Sequence, residues 1–188
     1  MPMSDQDHER EKQRRKIYKL PEPERLMRSA VAYLERYASS SENLRRVLER
    51  KVARAAYAHD RDASEFSEMI AAAVERCIQL GLVDDAAYAE TRASSLRRRG
   101  ASKRQIEAKL AAKGVAKRLI ERVLAADETD ETEAARRFAR RRRLGPWRTR
   151  GNRDDYRERD MAALCRAGFG FDVARDVVGG GHEPSEPV

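Results

Sequence analysis

The sequence predicts an all-α protein of about three tandem three-helix repeats that form an elongated, curved helical array. Three observations predict it: apolar residues recur at helical spacing almost throughout, glycines punctuate those runs, and separate segments lie over one another without gaps. No segment alternates with the period of two that a half-buried strand requires. With 38% charged and 6% aromatic residues, the 188-residue chain has apolar side chains for stripes between helices and not for thick layers.

Residues 1–24 alternate charge without an apolar period and end in Pro21, Glu22 and Pro23, so they are expected to be a flexible charged arm. Repeat 1 is expected over residues 25–80. Its faces are Leu26, Ala30, Leu34 and Ala38; then Leu44, Val47 and Leu48; then Phe66, Ile70, Ala73, Val74, Cys77 and Ile78. Repeat 2, residues 81–126, carries Ala89, Ala93 and Leu96, then Ile106 and Leu110, then Leu119, Ile120, Val123 and Leu124. Repeat 3, residues 127–178, carries Ala134, Ala135 and Phe138, then Met161, Leu164 and Cys165, then Val173, Ala174, Val177 and Val178. The glycine-rich end, residues 179–188, reads as a disordered tail.

Gly81, Gly100, Gly114 and Gly168 each follow a periodic run, where a left-handed residue ends a helix. Ser102 with Gln105, and Asp130 with Glu133, match the capping-box pattern, and Asp84 or Asp85 can cap the helix through Tyr88. The adjacent carboxylates of Asp84 and Asp85 lack the further oxygen ligands that a hard cation needs, so capping is the better reading of them. Residues 31–51 lie over 93–113, pairing Ser40 with Ser102, Leu44 with Ile106 and Leu48 with Leu110. Residues 164–178 lie over 110–124, pairing Gly168 with Gly114 and Val177 with Val123. Units this small cannot bury their apolar faces alone and must stack.

The net charge of +8 and isoelectric point near 9.8 point to an anionic partner, nucleic acid or an acidic protein surface. The first 20 residues have no apolar core of a signal peptide and no run approaches a membrane span, so a cytoplasmic protein is expected. Cys77 and Cys165 fall at apolar helical positions and read as small core residues, with a disulfide the lesser alternative. His8, His59 and His182 lie far apart, without metal-site spacing. Phosphate loops and nucleophile turns are absent from the sequence, so no catalytic residue, cofactor or metal is expected.

An ordered set of residues resembles the central repeat of the RecX family. It comprises Gly81, Leu82, Val83, Asp84 and Asp85; Tyr88 and Ala89; Arg98, Arg99 and Gly100; Ile106, Leu110, Lys113, Gly114, Val115 and Ile120. The last repeat is similar to the family's in Arg166, Ala167, Gly168 and Phe169 before Asp172 and Val173, and the first in Tyr33, Leu34 and the serine-rich break before Leu44. The resemblance spans residues 26–178, with two departures: Val52 stands where the other repeats carry glycine, and Gly145, Pro146 and Trp147 lie within a longer break. It implies a non-enzymatic regulator, expected to be a monomer, that binds the RecA filament in its groove along single-stranded DNA, directly or through RecA, and inhibits ATP hydrolysis and strand exchange.

Candidate contacts follow from charge. Ten basic residues against Glu107 and Glu121 lie between Arg97 and Arg122, among them Arg98, Arg99, Lys103, Arg104 and Lys113. Residues 136–150 hold eight arginines and no carboxylate, including Arg140, Arg141, Arg142, Arg143, Arg148 and Arg150, with Trp147 as a stacking platform. Simpler readings stand beside these. Arg97, Arg98 and Arg99 suit the negative end of a helix dipole. The cluster at 140–143 suits a solvated face, and Trp147 a packing role. The acids from Asp127 to Glu133 suit a helix start, with pairing to the arginines that follow also open. Two other functions remain open: a DNA-binding protein that works without RecA, and a helical scaffold for another acidic protein.

Overall fold

The computed structural model describes residue 13 and residues 18–180, and every regular element among them is helical. Most of the expected arm, the end of the expected tail, and His8 and His182 lie outside the described residues. The helices are α1 (Pro23–Leu34), α2 (Ser41–Ala58), α3 (Ser67–Gln79), α4 (Asp85–Arg98), α5 (Lys103–Ala112), α6 (Lys117–Ala125), α7 (Glu131–Arg142), α8 (Arg153–Arg166) and α9 (Phe171–Val178). They form tandem three-helix repeats, with short 3-10 turns at Ala63–Phe66 and Gly145–Trp147. The described residues divide into two compact units, and the division falls inside α4, after Tyr88.

In the first unit the core is drawn from Leu26 and Ala30 of α1, Leu44, Leu48 and Val52 of α2, and Ile70, Val74 and Cys77 of α3. Spacings of three and four residues put each set on one helix face, and each buried leucine or isoleucine contributes about 1.5–3 kcal/mol. Val52 now has a reason: α2 runs for 18 residues, past the point where α5 stops, and needs a core side chain there instead of a terminating glycine. Burial raises the thiol pKa of Cys77 above its ordinary value, and both cysteines are free. Two expectations fail here. Helix α1 ends at Leu34, leaving Ala38 exposed beside the buried serines that start α2, and Ile78 turns outward.

The second unit buries Ile106 and Leu110 of α5, Ile120 and Val123 of α6, and a cluster of Phe138, Leu164, Phe169, Ala174 and Val177 from α7, α8 and α9. The overlaid positions match in structure. Ser40 accepts the Asn43 N–H at 3.2 Å and Ser102 accepts the Gln105 N–H at 3.1 Å, each opening the second helix of its repeat. Leu164 is buried like Leu110, and Val177 like Val123. Asp84 caps α4, accepting from Ala86 at 2.8 Å and Ala87 at 3.0 Å. Asp130 differs from expectation: it precedes α7 without a side-chain cap bond, and Glu133 pairs with Arg137 instead. A complete capping box occurs at Asp62 and Glu65, where no hydrophobic run marks a helix start in the sequence.

Each unit also contains a cap supplied from a distance. Asp85, the first residue of α4, accepts the Ser41 N–H and hydroxyl, both at 2.7 Å, at the first residue of α2. Glu131, the first residue of α7, accepts the Lys103 N–H at 3.2 Å at the first residue of α5. A carboxylate opening one repeat thus satisfies a backbone donor at the second helix of the repeat before it, where the helix dipole favours negative charge.

Helix ends are equally regular. Gly100 (φ +76°) closes α4 with bonds from its own N–H to Arg97 and from Ala101 to Leu96, and Gly81, Gly114 and Gly168 repeat the pattern. At Gly100 a Cβ would lie 2.6 Å from the Phe138 nitrogen and 2.8 Å from the Ala134 carbonyl, so α4 ends directly against the backbone of α7. Gly81 has open space around the same atom. Replacing Gly81 by alanine is therefore expected to cost only the strained backbone, about 1 kcal/mol, while Gly100→Ala costs about 2–4 kcal/mol because helix packing must also shift. Urea unfolding of the two variants measures the difference, and equal losses would contradict the close approach.

Candidate functional site

The basic residues fall into two groups: those whose charge is used inside the protein and those that leave it outside. Arg97 belongs to the first. It sits on the buried side of the last turn of α4, 3% exposed, although its neighbours Arg98 and Arg99 are exposed. Its guanidinium donates to the Ala101 and Thr129 carbonyls, both at 2.9 Å, and to Glu131 at 2.6 Å. Its Nε lies 2.7 Å from Asp127 Oδ2, a charge contact outside hydrogen-bond geometry. Arg97 thus directs its three hydrogen bonds and one charge contact to groups inside the protein, and not to the surface. Lys103 is half-buried with its ammonium 3.3 Å from the Asp127 carbonyl, whereas Arg104 and Lys113 are exposed. Of the acids from Asp127 to Glu133, Glu131 and Glu133 lie in the first turn of α7, while Asp127 and Glu131 neutralise an arginine that precedes them.

Arg148 also uses its charge inside the protein. It pairs through two nitrogens with Asp160, which is 1% exposed on α8, and its Nε lies 3.1 Å from Asp160 Oδ2. That same oxygen accepts the Gly145 N–H at 2.8 Å. The hydrogen-bonded carboxylate raises the Arg148 pKa further above its ordinary value, and the guanidinium lies 4.1 Å from the centre of the Tyr156 ring. Arg148 therefore clamps the break between α7 and α8. Trp147, inside that break, is half-buried against the Phe138 cluster.

Four consecutive arginines remain on the outside. Arg140, Arg141 and Arg142 end α7, all exposed, and Arg143 follows them in the left-handed region at φ +56°. The guanidinium carbons of Arg141 and Arg142 lie 5.9 and 5.8 Å from the centre of the Phe138 ring, within reach of a cation–π contact, while both residues stay exposed. Arg150 is exposed too. Arg153, which no sequence pattern singles out because it stands in a first helical turn rich in acids, donates to the Pro146 carbonyl at 2.5 Å.

A cleft of about 610 Å³ in the second unit is lined by the buried Ile106 and Val123 and the exposed Arg98, Arg122 and Arg137. Glu90 lies 4.0 Å from Arg122, and Glu133 pairs with Arg137, so its charge is largely balanced internally. Among the described residues no group of three or more histidine, cysteine or acidic side chains is placed to hold a metal, and no helix is long and apolar enough to cross a membrane.

Comparison with known proteins agrees with this geometry. The family described as "RecX, second three-helix domain" matches residues 84–124, which span α4, α5 and α6. The chain is 41% identical over 159 residues to "Regulatory protein RecX" of Myxococcus xanthus (strain DK1622), covering 83% of this chain and 85% of that one. It is 33% identical over 106 residues to "Regulatory protein RecX" of Agrobacterium fabrum (strain C58 / ATCC 33970), covering 56% of each. No solved structure matches.

Arg97 lies within the matched segment, and its test separates structure from contact. Arg97→Ala leaves the Asp127 and Glu131 carboxylates without their counter-charge and is expected to destabilise the protein by about 3–5 kcal/mol. A urea midpoint unchanged from wild type would show instead that the guanidinium is not needed by the fold.

Proposed function

Because the chain belongs to the RecX family of regulatory proteins, we propose that it binds the RecA filament on single-stranded DNA and inhibits its ATP hydrolysis and strand exchange. The observation that carries this reading is the run of four exposed arginines at the end of α7. Like charges repel along such a run, and among the described residues no acid pairs with it, so an external anion supplies the balancing charge. Arginine forks suit phosphate oxygens, and the length of a filament groove matches a protein built from repeats better than a small pocket does. Arg98, Arg99, Arg104, Lys113 and Arg150 add exposed positive charge, with Lys103 contributing in part. The same reading has the protein act in the cytoplasm as a monomer, in recombinational DNA repair and the SOS response.

Added well below the RecA concentration, the protein is expected to slow DNA-dependent ATP hydrolysis by RecA. Replacing Arg140, Arg141 and Arg142 together by serine should weaken that inhibition about 10-fold or more while leaving the helical circular-dichroism signal intact, since about 1–3 kcal/mol accompanies each lost charged contact. Unchanged hydrolysis over a wide range of ratios would overturn the reading. Tight, salt-sensitive DNA binding in that case would favour a DNA-binding protein that acts without RecA.

A further inference from the structure

Seven helix ends in the described chain place a residue in the left-handed region after a helix. Five of these residues are glycines (Gly81, Gly100, Gly114, Gly168 and Gly180), which adopt that conformation freely, and a sixth is Asp60, of a type that visits it routinely. The seventh is Arg143, at φ +56°. A long unbranched side chain gains nothing there that glycine would not supply at lower conformational cost.

The surroundings enforce the strain. The Arg143 N–H reaches the Arg140 carbonyl at 3.2 Å and the Leu144 N–H reaches Ala139 at 2.9 Å, the same closure that glycine makes elsewhere. Leu144 is half-buried against the Phe138 cluster, and Gly145 is held by its bond to the buried Asp160. The backbone is therefore fixed on both sides of Arg143. Its side chain, by contrast, is exposed and has no hydrogen bond or ion pair among the described residues, so nothing within the described fold explains an arginine at this position.

We propose that Arg143 is a phosphate-contacting residue for single-stranded nucleic acid, kept in a strained backbone position because there it extends the run of exposed arginines, Arg140, Arg141 and Arg142, past the last helical turn. The proposal rests on the nucleic-acid part of the function given above and assigns it one residue and one ligand chemistry. The C′ position carries the side chain beyond the last helical turn, so it adds a fourth cation where an extended backbone can run past the helix end. A phosphodiester strand is favoured over an acidic protein surface because the guanidinium fork fits successive phosphate oxygens, and because the partly exposed Trp147 lies in the turn that follows.

Arg143→Gly tests it with two opposed readouts. Thermal unfolding should rise by about 2–4 °C as the strain is relieved. Binding to an oligo-dT strand, followed by fluorescence anisotropy without RecA, should weaken several-fold, with the dependence of log affinity on log salt shallower by about 0.7, one phosphate contact. Arg143→Lys should retain the salt slope. Wild-type oligonucleotide binding by Arg143→Gly, or failure of the wild-type protein to bind the oligonucleotide at all, overturns the proposal. Inhibition of RecA by the wild-type protein is measured separately, so it can stand when the Arg143 assignment fails, as it would if an acidic protein surface were the ligand.

Discussion

Arg97 brings a full positive charge into a space that water barely reaches, and much of the second unit is arranged around it. Moving a guanidinium out of water costs several kcal/mol, which is recovered only when acceptors meet it in good geometry. Glu131 and the Ala101 and Thr129 carbonyls do so, Asp127 adds a charge contact, and all of these but Ala101 come from the segment that leads into α7. The charge therefore determines where α7 begins relative to the end of α4. The contact of Gly100 with the backbone of α7 follows from the same placement, since the residue closing α4 must be small enough to let the two helices meet.

Glu131 links this interaction to the next. One of its oxygens accepts from Arg97 and the other from the Lys103 backbone, so a single carboxylate joins α4, α5 and α7. Asp160 does similar work further along, holding both the Gly145 amide and the Arg148 guanidinium. Two buried charges thus set the ends of the segment that carries the exposed arginines. The outward charge is a consequence of inward pairing: once Arg97 and Arg148 are consumed by the fold, positive potential concentrates on residues 140–143.

The helices were legible because their apolar spacing is local. Leu44 and Leu48, or Ile106 and Leu110, announce a buried face within one turn, and Ser40 and Ser102 announce where it starts. Interactions between residues far apart in sequence left no such trace. Nothing in the string of Arg97, Arg98 and Arg99 says which of them turns inward, because that depends on the position of Asp127, some thirty residues later. Arg148 was unreadable for the same reason, its partner lying on a different helix. Asp62 with Glu65 has the capping-box spacing but opens a 3-10 turn without a hydrophobic run of its own, so the pattern alone does not mark a helix. The family resemblance reached the regulator's identity by a different route, through the order of residues from Gly81 to Ile120 and not through any one contact.

The distant caps carry a consequence for synthesis. A chain made from its N-terminus releases Ser41 from the ribosome 44 residues before Asp85, and Lys103 28 residues before Glu131. Until those carboxylates emerge, the first turns of α2 and α5 rely on their serine caps and fray more readily. Helix α8 avoids the wait, carrying Asp154 and Asp155 in its own first turn, whereas α5 has no acid there. Each early repeat is thus completed by the opening residues of its successor, and maturation of the nascent chain proceeds in overlapping steps instead of repeat by repeat.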